Sequence, residues 1–375
     1  MTTEIHGFCE DRFKPLADAF RANFDDGLEV GASVALIHDG KTVVDLWGGH
    51  RDFARTKPWE KDTVVQVYSA AKIAVVMSLL MLVDQGRVDL DTAVATYWPE
   101  FAAGGKDRVT VRDALAHCGG VPGFDPPMSF TGLHDWRGAC ANLADQPHWF
   151  GGERRLAYHF MTYGHLLGEI IRRVDGRGPA QFFYEEIADK IGIEHRMGLR
   201  TPAERERVAE IGSLEPLEFP PMEGLEARAF ASTERGDWNS LERMSAEIPA
   251  TGYANGRSLA RLFGIGAGNG SLDGVRFLSP QTVREACTTQ IHSDDFLGAA
   301  CNMGLGVAMD IDAFPLPTPT SAQWGGAGGA QGLMDPATGI SYGYAMNNMI
   351  MEGSQIAGRR WERLWGALGE VMTGL

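Results

Sequence analysis

A serine and a lysine stand three residues apart in the sequence Ser69-Ala70-Ala71-Lys72. A helix places residues three apart on one face, so the amine of Lys72 can reach the hydroxyl of Ser69. A serine hydroxyl is a weak nucleophile until a neighbouring base accepts its proton. Lysine serves as that base only if burial or a nearby positive charge lowers its pKa. The pair therefore predicts a serine nucleophile with a lysine base.

The residues on both sides of this pair are apolar and supply the burial. Residues 64–68 lead into it, and the apolar stretch 73–82 follows it. The helical pattern continues through Asp84 and ends at Gln85-Gly86, with glycine where a helix commonly terminates. Ser69 is thus predicted to begin a long buried helix, whose N-terminal N–H groups suit a developing oxyanion.

Strand patterns lie at both ends of the chain, and helical patterns lie between them. Residues 31–38 and 41–48 are β-rich runs around Asp39-Gly40, which is a two-residue hairpin signal. Further strands are predicted at 304–310, 322–325, 330–334 and 340–347. Helices are predicted at 8–24, 69–84, 111–116, 161–174, 179–191, 258–266 and 358–372. Proline and glycine mark loops at 121–123 and 218–221.

This order of elements predicts an α/β (α+β) fold with two parts. The N- and C-terminal strands form one central antiparallel sheet flanked by the terminal helices. We expect residues 1–70 and 270–375 to make up this α/β domain, and residues 71–269 to form an inserted, mainly helical domain. The cleft between the two parts is the expected site.

Composition limits the partners of the protein. Hydrophobic residues make up 44% and charged residues 22% of the chain, as in globular proteins. The net charge of −15 argues against nucleic acid or a membrane surface as a partner. Scattered cysteines and an N-terminus without a signal-peptide pattern predict a cytoplasmic protein with reduced thiols. The histidine and cysteine spacings predict no metal, no cofactor is expected, and the oligomeric state is left open.

Several segments, in order along the chain, resemble the superfamily of serine β-lactamases, penicillin-binding proteins and family VIII carboxylesterases. The match runs from about residue 31 to residue 347 and implies a β-lactamase/transpeptidase-like fold. Besides the residues around Ser69, the segments that carry it are Val44-Asp45-Leu46-Trp47-Gly48-Gly49, the run 109–117, the run 158–168 and Trp324-Gly325-Gly326.

The resemblance implies roles for further residues. Tyr158 would be the third catalytic group and would move a proton between Ser69, Lys72 and the leaving group. Tyr163, five residues on, is the alternative for this role. The backbone N–H groups of Ser69 and Ala327 would form an oxyanion hole, because the glycine-rich segment 325–329 leaves room for it.

Two departures from the family pattern bear on the substrate. Trp324 stands where β-lactamases and peptidases have a lysine that meets a substrate carboxylate, and Phe160 stands where they have an asparagine. The implied substrate-binding residues are therefore Trp324, Gly325, Gly326 and Phe160, and a site without the two polar groups favours neutral esters. The tryptophan form of the motif is typical of family VIII esterases.

The resulting prediction is a carboxylesterase that cleaves short-chain esters, as small-molecule substrates, through a covalent acyl-Ser69 intermediate. A β-lactamase or D-amino-acid peptidase activity, or acyl transfer to an alcohol or amine, would use the same residues. A binding protein that keeps the fold without catalysis is a further alternative.

Two other residues attract attention as catalytic candidates. Ser341 lies in a Gly-x-Ser-x-Gly pattern, which is typical of a lipase nucleophile elbow. An elbow requires a strand, a sharp turn and a helix, whereas the residues after Ser341 continue as a strand pattern. His117 is a candidate base only if it lies near Ser69, and the resemblance implies a structural place for it.

Overall fold

The computed structural model describes residues 3–217, 223–233, 237–297, 299–311, 316–351 and 358–374. The predicted loop at 218–221 lies outside the described residues. Among the described helices, none combines the length and the apolar character that a membrane span requires.

The strands of the described chain are, in chain order, β1 (Ile5–Cys9), β2 (Gly31–His38), β3 (Lys41–Gly49), β4 (Val65–Gln66), β5 (Tyr253–Ala254), β6 (Ser271–Leu272), β7 (Val275–Arg276), β8 (Ile291–Phe296), β9 (Ala299–Met303), β10 (Ala308–Ile311), β11 (Ala322–Gly325), β12 (Gln331–Asp335) and β13 (Ile340–Met346). One antiparallel sheet has the spatial order β1-β3-β2-β13-β12-β11-β10-β9-β8. β4 pairs with β5 and β6 with β7 in two small sheets. The β2–β13 pair joins the N- and C-terminal strands, as predicted.

The helices are α1 (Lys14–Asp25), α2 (Lys72–Asp84), α3 (Val94–Tyr97), α4 (Val111–Leu115), α5 (Trp136–Asp145), α6 (Thr162–Asp175), α7 (Pro179–Phe183), α8 (Asp189–Ile191), α9 (Pro202–Glu206), α10 (Gly224–Ala231), α11 (Leu241–Ser245), α12 (Gly256–Ala267), α13 (Pro280–Ala286) and α14 (Arg359–Thr373). A π-helical turn, Tyr184–Ala188, connects α7 to α8, so the helix predicted at 179–191 is continuous.

The two faces of the sheet carry different helices, because side chains alternate along each strand. On β13, Ser341 points to α12 and donates a hydrogen bond to the carbonyl oxygen of Ala260 at 2.8 Å. The neighbouring Tyr342 points the other way and packs edge-on against Trp365 of α14. α1 packs against α14. The sheet is therefore a layer between α12 and the pair of terminal helices.

Helix α2 is the element that connects the sheet layer to the helical block. It contacts α6 and α7 as well as α12 and α13. Residues 72–82 are all buried, which agrees with a helix that is apolar on every side. The predicted helical block 71–269 also includes α12, which packs on β2, β12 and β13. The packing thus places α12 with the sheet, and the division of the chain into two domains stays a prediction.

Two predicted elements are wrong at their N-terminal ends. The first helix begins at Lys14 and not at residue 8, because Ile5–Cys9 pair with β3 and cover the backbone groups of its edge. The strand predicted at 304–310 begins only at Ala308. Before it, the N–H of Gly304 bonds the carbonyl of Val307 at 2.8 Å, which closes a tight turn with Gly306 at a φ of 76°.

Candidate active site

Ser69 lies in a 3₁₀ turn, Tyr68–Ala71, which leads directly into α2. Lys72 is the first residue of α2, and its Nζ donates hydrogen bonds to Ser69 Oγ at 2.9 Å and to the carbonyl oxygen of Ala250 at 3.1 Å. Tyr68 has a φ of 48°, in the left-handed region, where a bulky residue stays only if its surroundings hold it. The turn that brings Ser69 next to Lys72 therefore requires an unfavourable backbone conformation at Tyr68.

The environment of Lys72 favours its neutral form. The side chain is buried, and this desolvation lowers the pKa of Lys72 from 10.5 to about 7. The ring of Tyr158 lies beside the amine, with Nζ 5.2 Å from the ring centroid. A large part of the amine is thus unprotonated near neutral pH, as a base requires.

Tyr158 completes a cluster of three groups. Its hydroxyl donates a hydrogen bond to Ser69 Oγ at 2.6 Å. Burial raises the pKa of the Tyr158 phenol well above its usual value of 10, so it is protonated at neutral pH. The hydroxyl of Tyr163 instead bonds the carbonyl oxygen of Leu115 at 2.8 Å. The structure therefore brings Tyr158 to Ser69, and not Tyr163.

His117 and Ser341, the two other sequence candidates, occupy structural positions. The His117 ring stacks between those of Tyr163 and Trp324, at centroid distances of 4.1 and 5.3 Å. Burial lowers the pKa of His117 well below 6.5, so the ring is neutral. Ser341 is fully buried and faces α12, where it bonds Ala260. Neither of them forms a hydrogen bond to the Ser69 side chain.

The glycine-rich end of β11 passes close to the turn that carries Ser69. A Cβ atom at position 326 would lie 2.1 Å from the carbonyl oxygen of Val67, so Gly326 is required for this close approach. Ala327 follows it, and both Ser69 and Ala327 line the same cavity. This adjacency supports the predicted oxyanion hole, which stays a prediction.

A cavity of about 300 Å³ lies over Ser69. Most of its wall is apolar or aromatic, and it includes the predicted residues Phe160, Trp324, Gly325 and Gly326. Among the described residues that line it, none is an aspartate or a glutamate. The remaining lining residues are Tyr68, Lys72, Tyr158, Met161, Leu217, Phe230, Thr233, Trp238, Arg243, Thr251, Phe296, Leu297, Gln323, Ala327, Met349 and Met351.

The two departures from the family pattern place aromatic rings around Tyr158. Phe160 packs edge-on against the Tyr158 ring at 4.6 Å, and the Trp324 ring lies 5.9 Å from it. Trp324 is held in place by the stacked ring of His117. This side of the cavity therefore offers apolar surface to a substrate.

Sequence reasoning missed three residues that shape the site. Trp238 and Arg243 line the cavity, and no motif or periodicity in the sequence marks either of them. Arg360 donates a hydrogen bond to the carbonyl oxygen of Gly328, in the loop that follows Ala327. The charge of Arg360 is itself balanced by the buried carboxylate of Glu29, with Nη1 and Oε2 3.3 Å apart.

Comparison with known proteins identifies the family. A family model described as Beta-lactamase matches residues 20–364. The chain belongs to the Beta-lactamase family. One relative is named Esterase/beta-lactamase LipL and comes from Mycobacterium tuberculosis (strain ATCC 25618 / H37Rv). It is 30% identical to this chain over 365 residues, which cover 92% of this chain and 83% of LipL.

Two solved structures resemble this protein over nearly its whole length. A penicillin-binding protein homolog from Caulobacter crescentus superposes with a TM-score of 0.90, and a family VIII carboxylesterase superposes with a TM-score of 0.87. Each is 34% identical to this chain, and each match covers 98% of this chain and 100% of the other. The predicted β-lactamase/transpeptidase-like fold is confirmed, and the protein is a serine hydrolase of this fold.

Proposed function

We propose that the protein is a carboxylesterase that cleaves short-chain esters through a covalent acyl intermediate on Ser69. The observation that carries the proposal is the convergence of Lys72 and Tyr158 on Ser69 Oγ, at 2.9 and 2.6 Å, below a largely apolar cavity. Similarity to a family VIII carboxylesterase and to a protein named esterase/beta-lactamase supports it.

In the acylation step, the neutral amine of Lys72 accepts the hydroxyl proton of Ser69 while Oγ forms a bond to the carbonyl carbon of the ester. The carbonyl oxygen becomes an oxyanion, and the N–H groups of Ser69 and Ala327 stabilise it. The bond from that carbon to the alcohol oxygen then breaks. The alcohol takes a proton from the Tyr158 phenol, and the Lys72 ammonium returns a proton to Tyr158. Acyl-Ser69 and free alcohol remain.

In the deacylation step, water attacks the acyl carbon and gives a proton to the neutral Lys72 amine. The bond from this carbon to Oγ breaks, and Ser69 regains its proton from Lys72. The carboxylic acid leaves and the resting cluster is restored. An alcohol or amine in place of water would give acyl transfer by the same route.

The aromatic side of the cavity sets the preference among substrates. Trp324 and Phe160 provide contact area for a short acyl or alcohol group beside Tyr158. Neither ring carries the positive charge or the side-chain amide that would bind the carboxylate and the acylamino group of a penicillin. A β-lactamase activity is a second candidate because the family and the LipL relative carry that name. We expect this β-lactamase activity to be less efficient than ester hydrolysis.

The proposal includes a cytoplasmic location and a small-molecule ester as the partner. No disulfide joins the five cysteines, all of which lie in the described residues, and Cys118 and Cys140 are buried thiols. Reduced thiols are typical of cytoplasmic proteins. The net charge of −15 makes nucleic acid an unfavourable partner.

A substrate panel tests the proposal. Purified enzyme is assayed on p-nitrophenyl esters of increasing acyl length and on a chromogenic cephalosporin. We expect kcat/KM for the short esters to exceed that for the cephalosporin by at least ~100-fold, as when a charge-recognising contact is missing. Ser69→Ala should lower ester hydrolysis by roughly three orders of magnitude. Equal efficiency on both classes would replace the esterase assignment with a β-lactamase.

A further inference from the structure

Arg243 is a buried cation in the wall of the active-site cavity. It lies in α11 and lines the cavity together with Ser69 and Trp324. Only 5% of the residue is exposed. The guanidinium lies against two rings, with Cζ 3.9 Å from the ring centroid of Phe130 and 3.6 Å from that of Trp238. The two rings hold the group in a fixed orientation.

Among the described residues, the Arg243 guanidinium has no anionic partner. In the part of the chain that the structure describes, it forms no ion pair, and its Nη1 is buried without a hydrogen bond. Burial lowers the pKa of Arg243 to about 10, so the group is still charged at neutral pH. Arg360, also buried, has both a carboxylate partner in Glu29 and a hydrogen bond of 2.7 Å to the Asn348 carbonyl.

An unpaired buried charge is destabilising. An apolar side chain would fill the space between two rings without that penalty, so stacking alone does not account for a guanidinium here. A cation that lines a reaction cavity gains its partner when an anion binds. Arg243 is therefore a candidate ligand-binding group.

The charges around the cavity favour an anion at this point. Its described lining includes the guanidinium of Arg243 and the partly protonated amine of Lys72, and no carboxylate. The protein as a whole carries a net charge of −15 and repels anions. Any preference for an anionic substrate must therefore come from groups inside the cavity.

A chain of ring contacts connects Arg243 to the nucleophile. The Tyr68 ring, next to Ser69 in sequence, meets the Trp238 ring edge-on at 4.6 Å, and Trp238 stacks on Arg243. Arg243 is thus linked to the nucleophile through Trp238 and Tyr68, whereas Trp324 and Phe160 contact the Tyr158 ring. A group bound to Arg243 would lie beside Trp238.

We propose that Arg243 binds a carboxylate of the substrate, so that the preferred esters carry an anionic end away from the reacting carbonyl. The inference rests on the proposed esterase function and names its substrate class. The planar guanidinium matches a carboxylate with two parallel hydrogen bonds. Because folding has already desolvated and oriented the guanidinium, the ligand meets a preorganised donor. The sequence analysis predicted neutral esters. Under this proposal, only the part of the substrate that lies beside Tyr158 needs to be neutral.

Matched pairs of esters test the proposal. The p-nitrophenyl monoesters of adipic and suberic acid place a carboxylate on the acyl side, and 4-acetoxybenzoate places one on the alcohol side. Each is compared with its carboxamide, which has the same size without the charge. We expect wild-type enzyme to prefer the carboxylate of at least one pair by ~10-fold in kcat/KM, mainly through KM. The preference should persist at high salt, because a buried pair is weakly screened.

Variants assign the preference to Arg243. Arg243→Met should reduce the carboxylate-to-carboxamide ratio to about one or below, and Arg243→Lys should keep part of it, since lysine is a point charge without the fork. Arg228 provides the matched control. Its guanidinium also stacks on an indole, 3.9 Å from the ring centroid of Trp149, but it is paired with Asp125 at 2.5 Å and lies outside the cavity. Arg228→Met should leave the ratio unchanged.

The outcomes separate this proposal from the proposed function. Turnover of the carboxamides through Ser69 without preference for any carboxylate would overturn the carboxylate site and leave the esterase. A preference that survives in folded Arg243→Met would also overturn it. Turnover that persists in Ser69→Ala would overturn the esterase itself. If Arg243→Met does not fold, the proposal is tested by inhibition of p-nitrophenyl acetate hydrolysis in the wild-type enzyme. Adipate must then inhibit at a lower concentration than adipamide. Equal inhibition by the two compounds contradicts the proposal.

Discussion

Lowering the pH from about 8 to about 5 should switch off ester hydrolysis by protonating the Lys72 amine. Only the neutral amine can accept the Ser69 proton, so activity rises with pH through the pKa of Lys72. Burial places that pKa at about 7. The neutral fraction is then about nine tenths at pH ~8, one half at pH ~7 and one hundredth at pH ~5. We therefore expect kcat/KM to fall about tenfold per pH unit on the acid side.

The assay follows kcat/KM for p-nitrophenyl butyrate across this range, read at the isosbestic wavelength of p-nitrophenol and at constant ionic strength. The buried histidines of the site have pKa values below the expected midpoint of Lys72. The pKa of His117 lies well below 6.5, and burial lowers that of His159 to about 4. A midpoint near 7 therefore reports neither of them.

Glu29 is the group that must be separated from Lys72. Burial raises the pKa of Glu29 to about 7, and the pair that it forms with Arg360 supports the loop after Ala327. The control is Glu29→Gln, which removes this titration and should keep the acid limb with its midpoint near 7. A rate that is independent of pH between about 5 and 9 would refute the reasoning about Lys72. If folded Glu29→Gln no longer loses activity at acid pH, the titrating group is Glu29 and not Lys72.

The remaining predictions concern four further positions. Tyr158→Phe should reduce kcat strongly, whereas Tyr163→Phe should matter much less, because only the first hydroxyl contacts the nucleophile. If the two mutants exchange these behaviours, the third catalytic role belongs to Tyr163. Ser341→Ala should keep near-normal hydrolysis, since its hydroxyl is buried against α12 and bonds the carbonyl oxygen of Ala260, not Ser69; a large loss in a folded protein would contradict this. Trp324→Lys should lower ester turnover and raise cephalosporin turnover, so that the ratio of the two falls by ~10-fold. An unchanged ratio would show that Trp324 does not contact the substrate.

Local patterns predicted the parts of the fold that depend on neighbouring residues. The hairpin at Asp39-Gly40 is one example, because its φ angles of 49° and 74° are those that Asp-Gly adopts readily. β2 and β11 have the predicted bounds. The geometry of Ser69 and Lys72 also follows from local spacing, although the α-helix begins at Lys72 after a 3₁₀ turn.

Features that depend on contacts between residues distant in the sequence could not be predicted from local patterns. β1 forms only because the edge of β3 is available to it, a fact that no pattern within residues 5–9 contains. The choice between Tyr158 and Tyr163 depends on which hydroxyl reaches Ser69 and which reaches the Leu115 carbonyl. Arg243 lies in a helix of five residues, and its guanidinium is enclosed by the ring of the nearby Trp238 and by that of Phe130, which is distant in the sequence.

The identity of the nucleophile is tested most directly by covalent labelling. The enzyme is treated with a fluorophosphonate, digested and analysed by mass spectrometry, with Ser69→Ala treated in parallel. We predict a single adduct, on the peptide that contains Ser69, and its absence from the variant. An adduct on the peptide that contains Ser341, or labelling of Ser69→Ala to the same extent as wild type, would contradict the assignment of Ser69.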